Sequence, residues 1–147
     1  LMDKIGRLQN VLEQHGVRVT EPRLSVLDLL VESEAPLRAY DILEKMKSPQ
    51  RDVNPPTVYR ALASLEEAGL IHRLESLNAY IFCHDHSKGH NPNDGRELFF
   101  AICDECGKVE EVERTLSPSL TEILRRQGFE PRHSMLEVHG YCVSCQK

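Results

Sequence analysis

Apolar residues recur three and four positions apart through the N-terminal half of the chain, the spacing that places them on one face of an α-helix. Ile5, Leu8 and Leu12 predict a first helix over 2–15, and Gly16 supplies the left-handed position that ends it. Thr20 is placed to cap a second helix, with Pro22 harmless in its first turn and Leu24, Leu27, Leu30 and Val31 as the buried stripe. A short third helix over 39–47 buries Ile42, Leu43 and Met46 and is stopped by Ser48-Pro49. Pro55-Pro56 stiffen the entry to a fourth, over 57–68, whose Val58, Ala61, Leu62 and Leu65 lie in one arc while Tyr59, Arg60 and Ala63 point away.

After Gly69 the rhythm changes. Residues 70–75 and 79–83 read as two short strands about a Ser76-Leu77-Asn78 turn. Helix, turn, helix and hairpin together are the winged form of helix-turn-helix. A polar stretch rich in Gly, Asn, Pro and Asp follows and reads as a linker. Strands are then expected over 98–102, 109–113 and 134–139. Between the last two lies a helix with Ser117 as cap, Pro118 in its first position, Leu120, Ile123 and Leu124 buried, and Gly128 at its exit. The expected fold class is therefore α+β: an N-terminal winged helix-turn-helix domain over 1–83, a hinge loop over 84–97 and a small α/β dimerisation domain over 98–147. A small open sheet with one helix cannot hide both faces by itself, so a homodimer is expected.

Charge complicates a nucleic-acid reading. The 147 residues carry a net charge of −5, and both halves are acidic on balance, whereas DNA binders usually show a basic footprint. Binding must come from a few placed groups and gain strength from two copies. On the fourth helix, with Thr57 at its start, Arg60 has the fork for a bidentate contact to guanine. Tyr59 offers an apolar contact to a thymine methyl or a hydroxyl bond to phosphate, and Arg73 on the wing is placed for a phosphate contact. The rival reading is a helix that only packs a core, with ordinary solvated residues outside. No apolar run is long enough to span a bilayer, so no membrane partner is expected. Residues 1–16 alternate charged and apolar positions rather than showing an export signal, so a cytoplasmic location with reduced thiols is expected.

Thiols and imidazoles crowd between Cys83 and Cys106, with His84, His86 and His90 between them. Cys103 and Cys106 form one Cys-x2-Cys pair and Cys142 and Cys145 another. Two turns that each present two thiolates suit a closed tetrahedral zinc site with no open position for chemistry. A redox dithiol or incidental buried cysteines are the bland alternatives. A second donor set remains in His72, Cys83, the loop histidines and Glu111. His72 and Cys83 lie on opposed strands of the hairpin, and a metal drawing on both domains would bias their arrangement, as a sensor requires. Taken singly, such a histidine is more often surface or satisfied core, and Glu111 sits in an acidic run that suits a solvated edge.

Several motifs carry a resemblance. Pro55-Pro56-Thr57-Val58-Tyr59-Arg60-Ala61-Leu62, the wing His72-Arg73-Leu74-Glu75-Ser76, the turn Cys103-Asp104-Glu105-Cys106-Gly107 and the run His139-Gly140-Tyr141-Cys142-Val143-Ser144-Cys145 stand in order along nearly the whole chain. Together they resemble the ferric uptake regulator family, and within it the zinc uptake branch. The resemblance implies a dimeric winged-helix repressor, not an enzyme, that binds double-stranded operator DNA and holds two zinc ions per subunit. By position, the structural ligands are Cys103, Cys106, Cys142 and Cys145, and the regulatory ligands are His72, Cys83, Glu111 and one loop histidine. The position seven before Cys103 is Arg96, so His90 is chosen, with His84 and His86 as rivals. Some members hold a further ion, for which His133 with His84 or His86 and Glu122 are candidates.

A thiolate in the sensor favours zinc over ferrous iron or manganese. The expected function is zinc-dependent repression of zinc-uptake genes. Alternatives are a member sensing iron or manganese, an oxidant sensor acting through Cys83, and a zinc hydrolase, which would need an open coordination position and a substrate pocket.

Overall fold

Side-chain caps decide where the N-terminal helices begin. Asp3 accepts a hydrogen bond from the Gly6 N–H at 2.6 Å and opens α1, Lys4–Gln14. Thr20 accepts from the Arg23 N–H at 3.3 Å and opens α2, Glu21–Glu32. The main chain of Arg38 donates to Asp41 at 3.1 Å at the start of α3, Ala39–Met46. Asn54 accepts from both the N–H and the hydroxyl of Thr57, at 3.1 and 2.7 Å, and opens α4, Pro55–Glu67. Both prolines thus stand inside the first turn of α4 rather than before it, where their missing N–H groups cost nothing. We expect Asn54→Ala to lower the unfolding free energy by about 1 kcal/mol, since it strips this cap; urea unfolding of parent and variant checks it.

The computed structural model describes residues 3–83, 96–115, 118–131 and 135–146, and the chain divides into two compact units, Leu1–His86 and Ser87–Lys147. The architecture is α+β, a winged helix-turn-helix unit followed by a small α/β unit.

In the first unit α1 to α4 close on Leu12, Val26, Leu27, Ile42, Leu62 and Leu65, none more than 1% exposed. Full burial of each such side chain stabilises by roughly 1.5–3 kcal/mol. The predicted stripes of α3 and α4 are buried as expected. On α1, Ile5 is instead 59% exposed while Leu8 and Leu12 turn inward. Lys4, next to it, reaches Asp28 and Glu32 of α2 at 2.7 and 3.0 Å, while Ile5 itself faces outward. On α2, Val26 joins Leu27 and Leu30 inside, while Leu24 and Val31 are only partly buried. The hairpin pairs β1, Ile71–Leu74, with β2, Ala79–Phe82, from Ile71 opposite Phe82 to Leu74 opposite Ala79. Main-chain bonds between Leu37 and Tyr80, at 3.0 and 2.7 Å, tie the wing to the segment entering α3.

The second unit is a three-stranded sheet in the order β4-β3-β5. β3, Arg96–Cys103, pairs antiparallel with β4, Val109–Thr115, and parallel with β5, Leu136–Gly140. A parallel neighbour needs a crossover, and α5, Leu120–Arg126, lies on it. This helix departs from expectation. Its cap is Ser119, which accepts from the Glu122 N–H at 3.1 Å while the Glu122 carboxylate accepts from the Ser119 N–H at 3.2 Å. That reciprocal capping box sets the start, leaving Pro118 ahead of the helix; Ser117 lies outside the described residues. The expected buried trio also fails: Thr121 is buried, Leu120 and Leu124 are half-buried, and Ile123 is 39% exposed. β5 likewise begins and ends later than predicted.

Candidate metal centre

The end of β3 and the chain after β5 each make a tight turn. In the first, the Gly107 N–H donates to the Cys103 carbonyl at 3.0 Å and the Cys103 N–H donates to Lys108 at 2.9 Å. Gly107 sits at φ +77°, a conformation that costs glycine nothing. In the second, the Cys145 and Gln146 N–H groups both donate to the Cys142 carbonyl, at 2.9 and 3.1 Å. Parallel pairing sets Cys103 opposite Gly140, so the turns meet at one end of the sheet.

There Cys103, Cys106, Cys142 and Cys145 converge with all four sulfurs within 4.8 Å of one another, the one such ligand group among the described residues. Four sulfurs about 2.3 Å from a zinc ion at tetrahedral angles stand about 3.8 Å apart. The Cys106 and Cys142 sulfurs are 3.8 Å apart, and no disulfide joins any of the five cysteines. The donor set therefore fits zinc in both chemistry and size. Amide donors, first from Cys106 and then from Cys142, hold the Cys103 thiol down to about 6, whereas hydrogen bonding to Cys142, helped by burial, pushes Cys145 up to about 12. Four thiols this close cannot all ionise unless a cation joins them. With four protein ligands, such a site leaves no coordination position for a substrate. The depression beside it, about 320 Å³ and walled in part by Ala101, Val138 and Tyr141, is open.

The second donor set is divided between the units. The hairpin register places His72 opposite Ile81, and the Cys83 N–H donates to Leu70 at 3.0 Å just beyond the last pair. Residues 70, 72, 81 and 83 therefore share a face, with His72 and Cys83 on its diagonal, a spacing of about 7–8 Å. Both are buried. Glu111 belongs to the other unit, half-buried on β4 opposite Phe100. His84, His86, His90 and His133 lie outside the described residues. Glu122, a candidate for a further ion, is engaged in the cap of α5.

On α4, Tyr59 and Arg60 are exposed and Thr57 is half-buried against its bond to Asn54. Arg73 lies on the wing tip, donating to Asn78 at 2.8 Å and to Glu75 at 3.4 Å. Sequence reasoning passed over Tyr40 on α3, which is 68% exposed. Its place on the helix, off the Ile42, Leu43 and Met46 stripe, was the signal available.

Comparison with known proteins agrees with this architecture. The family model described as the ferric uptake regulator family matches residues 14–139. The zinc uptake regulation protein of Escherichia coli (strain K12) is 35% identical over 142 residues, covering 96% of this chain and 80% of that protein. Among solved structures, a zinc uptake regulator complexed with zinc and DNA is 32% identical with a TM-score of 0.79, over 95% of this chain and 91% of that one. The holo form of a protein named XcZur is 34% identical with a TM-score of 0.80, over 95% and 94%. These matches run along most of the chain, and the chain belongs to the ferric uptake regulator family, whose members regulate transcription and are not enzymes.

Proposed function

We propose that this chain is a zinc-responsive repressor of the zinc uptake branch, acting in the cytoplasm as a homodimer on double-stranded operator DNA. The observation that carries the choice of metal is the buried thiol of Cys83 on the same hairpin face as the buried imidazole of His72. Thiolate with imidazole suits zinc, while ferrous iron and manganese favour sites richer in oxygen and nitrogen. In this reading each subunit holds two zinc ions. Cys103, Cys106, Cys142 and Cys145 hold the structural one; His72, Cys83, His90 and Glu111 hold the regulatory one. Two of these ligands belong to the first unit and two to the second, so zinc would favour the arrangement that fits DNA.

Support for a dimer comes from the second unit. β5 is an edge strand, and Val138 and Tyr141 beside it are 57% and 61% exposed, which a second copy would cover. Support for the DNA face comes from α4. Arg60 is exposed near its N-terminal end, and Tyr40 joins Tyr59 as an exposed aromatic carrying a hydroxyl. We expect Arg60→Ala to lose about 1–3 kcal/mol of discrimination at a guanine position of the operator. Selection from a randomised operator pool checks it, and an unchanged preference at every base removes Arg60 from the readout. The function itself is tested by titrating operator binding with zinc beside a count of metal per subunit, then repeating both with ferrous and manganous ions. Retention driven equally by iron or manganese would overturn the choice of zinc.

A further inference from the structure

Asp104 stands between the first two cysteines of the cluster, and His139 stands on β5, just ahead of the second pair. The Nδ1 of His139 lies 2.7 Å from the Asp104 carboxylate. A carboxylate only accepts, so the imidazole donates through Nδ1. The two residues are 35 positions apart. They form a side-chain link between the two turns that spends no ligand sulfur. Beside it, the Asp104 N–H donates to the Gly140 carbonyl at 2.9 Å, and the Cys142 N–H points to the Cys103 sulfur at 3.4 Å.

We infer that the Asp104–His139 hydrogen bond is a latch that keeps the two cysteine turns in register and so sets how slowly the cluster gives up its ion. An ion held by two separate turns leaves when one turn swings away before its sulfurs can rebind. A tether between the turns keeps the lost thiolates at high effective concentration, so recapture outruns escape. Both side chains are well exposed, at 37% and 50%, so the bond adds little to global stability. Its effect falls on metal exchange instead.

The inference rests on the four-cysteine cluster holding zinc. The test uses the zinc-loaded full chain in a Cys83→Ser background, challenged with excess colorimetric chelator. Asp104→Ala and His139→Ala should each speed zinc release about 10-fold, the low end for residues that orient ligands. Their double variant should be no faster than either alone, because both break one bond. Asp104→Asn keeps an oxygen for the Nδ1–H and should release zinc at nearly the parental rate. Thermal unfolding of the zinc-loaded variants should stay close to the parent, which a general loss of packing would not allow. Single variants within about twofold of the parent, a double variant at the product of the singles, or Asp104→Asn as fast as Asp104→Ala each overturns the latch. A background protein that binds no zinc overturns the cluster reading itself.

Discussion

We expect Cys83→Ser to leave one tightly held zinc ion per subunit and to remove the zinc dependence of operator binding. Cys83 is 1% exposed and lies with His72 on one face of the wing, apart in sequence from both cysteine pairs. Serine is close to it in size but offers a hydroxyl that stays protonated at neutral pH, so a regulatory ion there would lose its softest donor while the hairpin keeps its packing. A switch of ordinary strength changes affinity by about 5- to 150-fold, and that whole increment should vanish. Fluorescence anisotropy with labelled operator across buffered zinc concentrations, beside metal counting, measures both halves of the claim. Equal zinc-dependent binding by variant and parent refutes the regulatory assignment. Loss of the response only on peroxide treatment at fixed free zinc would make Cys83 an oxidant sensor instead.

Removing the four-cysteine ion has the second large effect, and it should unfold the second unit while sparing the first. The described core of that unit is small, with Phe100, Ile102 and Cys103 as its buried apolar residues beside Ser119 and Thr121. Sheets this small seldom stand on burial alone. Structural zinc in small domains contributes an apparent 10–16 kcal/mol, roughly, at neutral pH. Cys106→Ser, or prolonged chelation, should therefore cut the strand signal in circular dichroism to the share that the wing hairpin of the first unit supplies. The cooperative melt of the helical unit should persist, since its own core is complete. Acid should act in the same direction. Metal binding needs thiolates, and the Cys103 thiol, held down to about 6, gains its proton as pH falls through that value. Affinity is then lost toward low pH. A Cys106→Ser chain that keeps both transitions would show that the cluster holds nothing the fold needs.

Much of the first unit was legible because helices are written locally. Thr20 as cap and the α3 and α4 stripes rest on contacts three and four residues apart, and each was found where expected. The errors also have local causes. Ser117 and Ser119 both precede the apolar run of α5, and only the reciprocal bond with Glu122 distinguishes the true cap. Ile5 fits the α1 stripe by spacing, yet it is exposed, because spacing places a residue on a face and does not say how far the core reaches along it.

Local pattern was enough for the two Cys-x2-Cys turns, the helix order of the winged unit and the placing of His72 and Cys83 on opposed strands of the hairpin, because each follows from neighbours a few residues apart; their shared face came with the observed register. That the second cysteine pair closes on the first emerges from the folded chain alone. That closure depends on β5 choosing β3 as a parallel partner after a long crossover, and on Cys103 meeting Gly140 rather than a residue one step away. A slip of one residue would turn every side chain of the strand to the opposite face. No pattern within either segment encodes that choice. The same register brought Asp104 to His139, which along the sequence stand only as neighbours of the cysteines within two separate motifs.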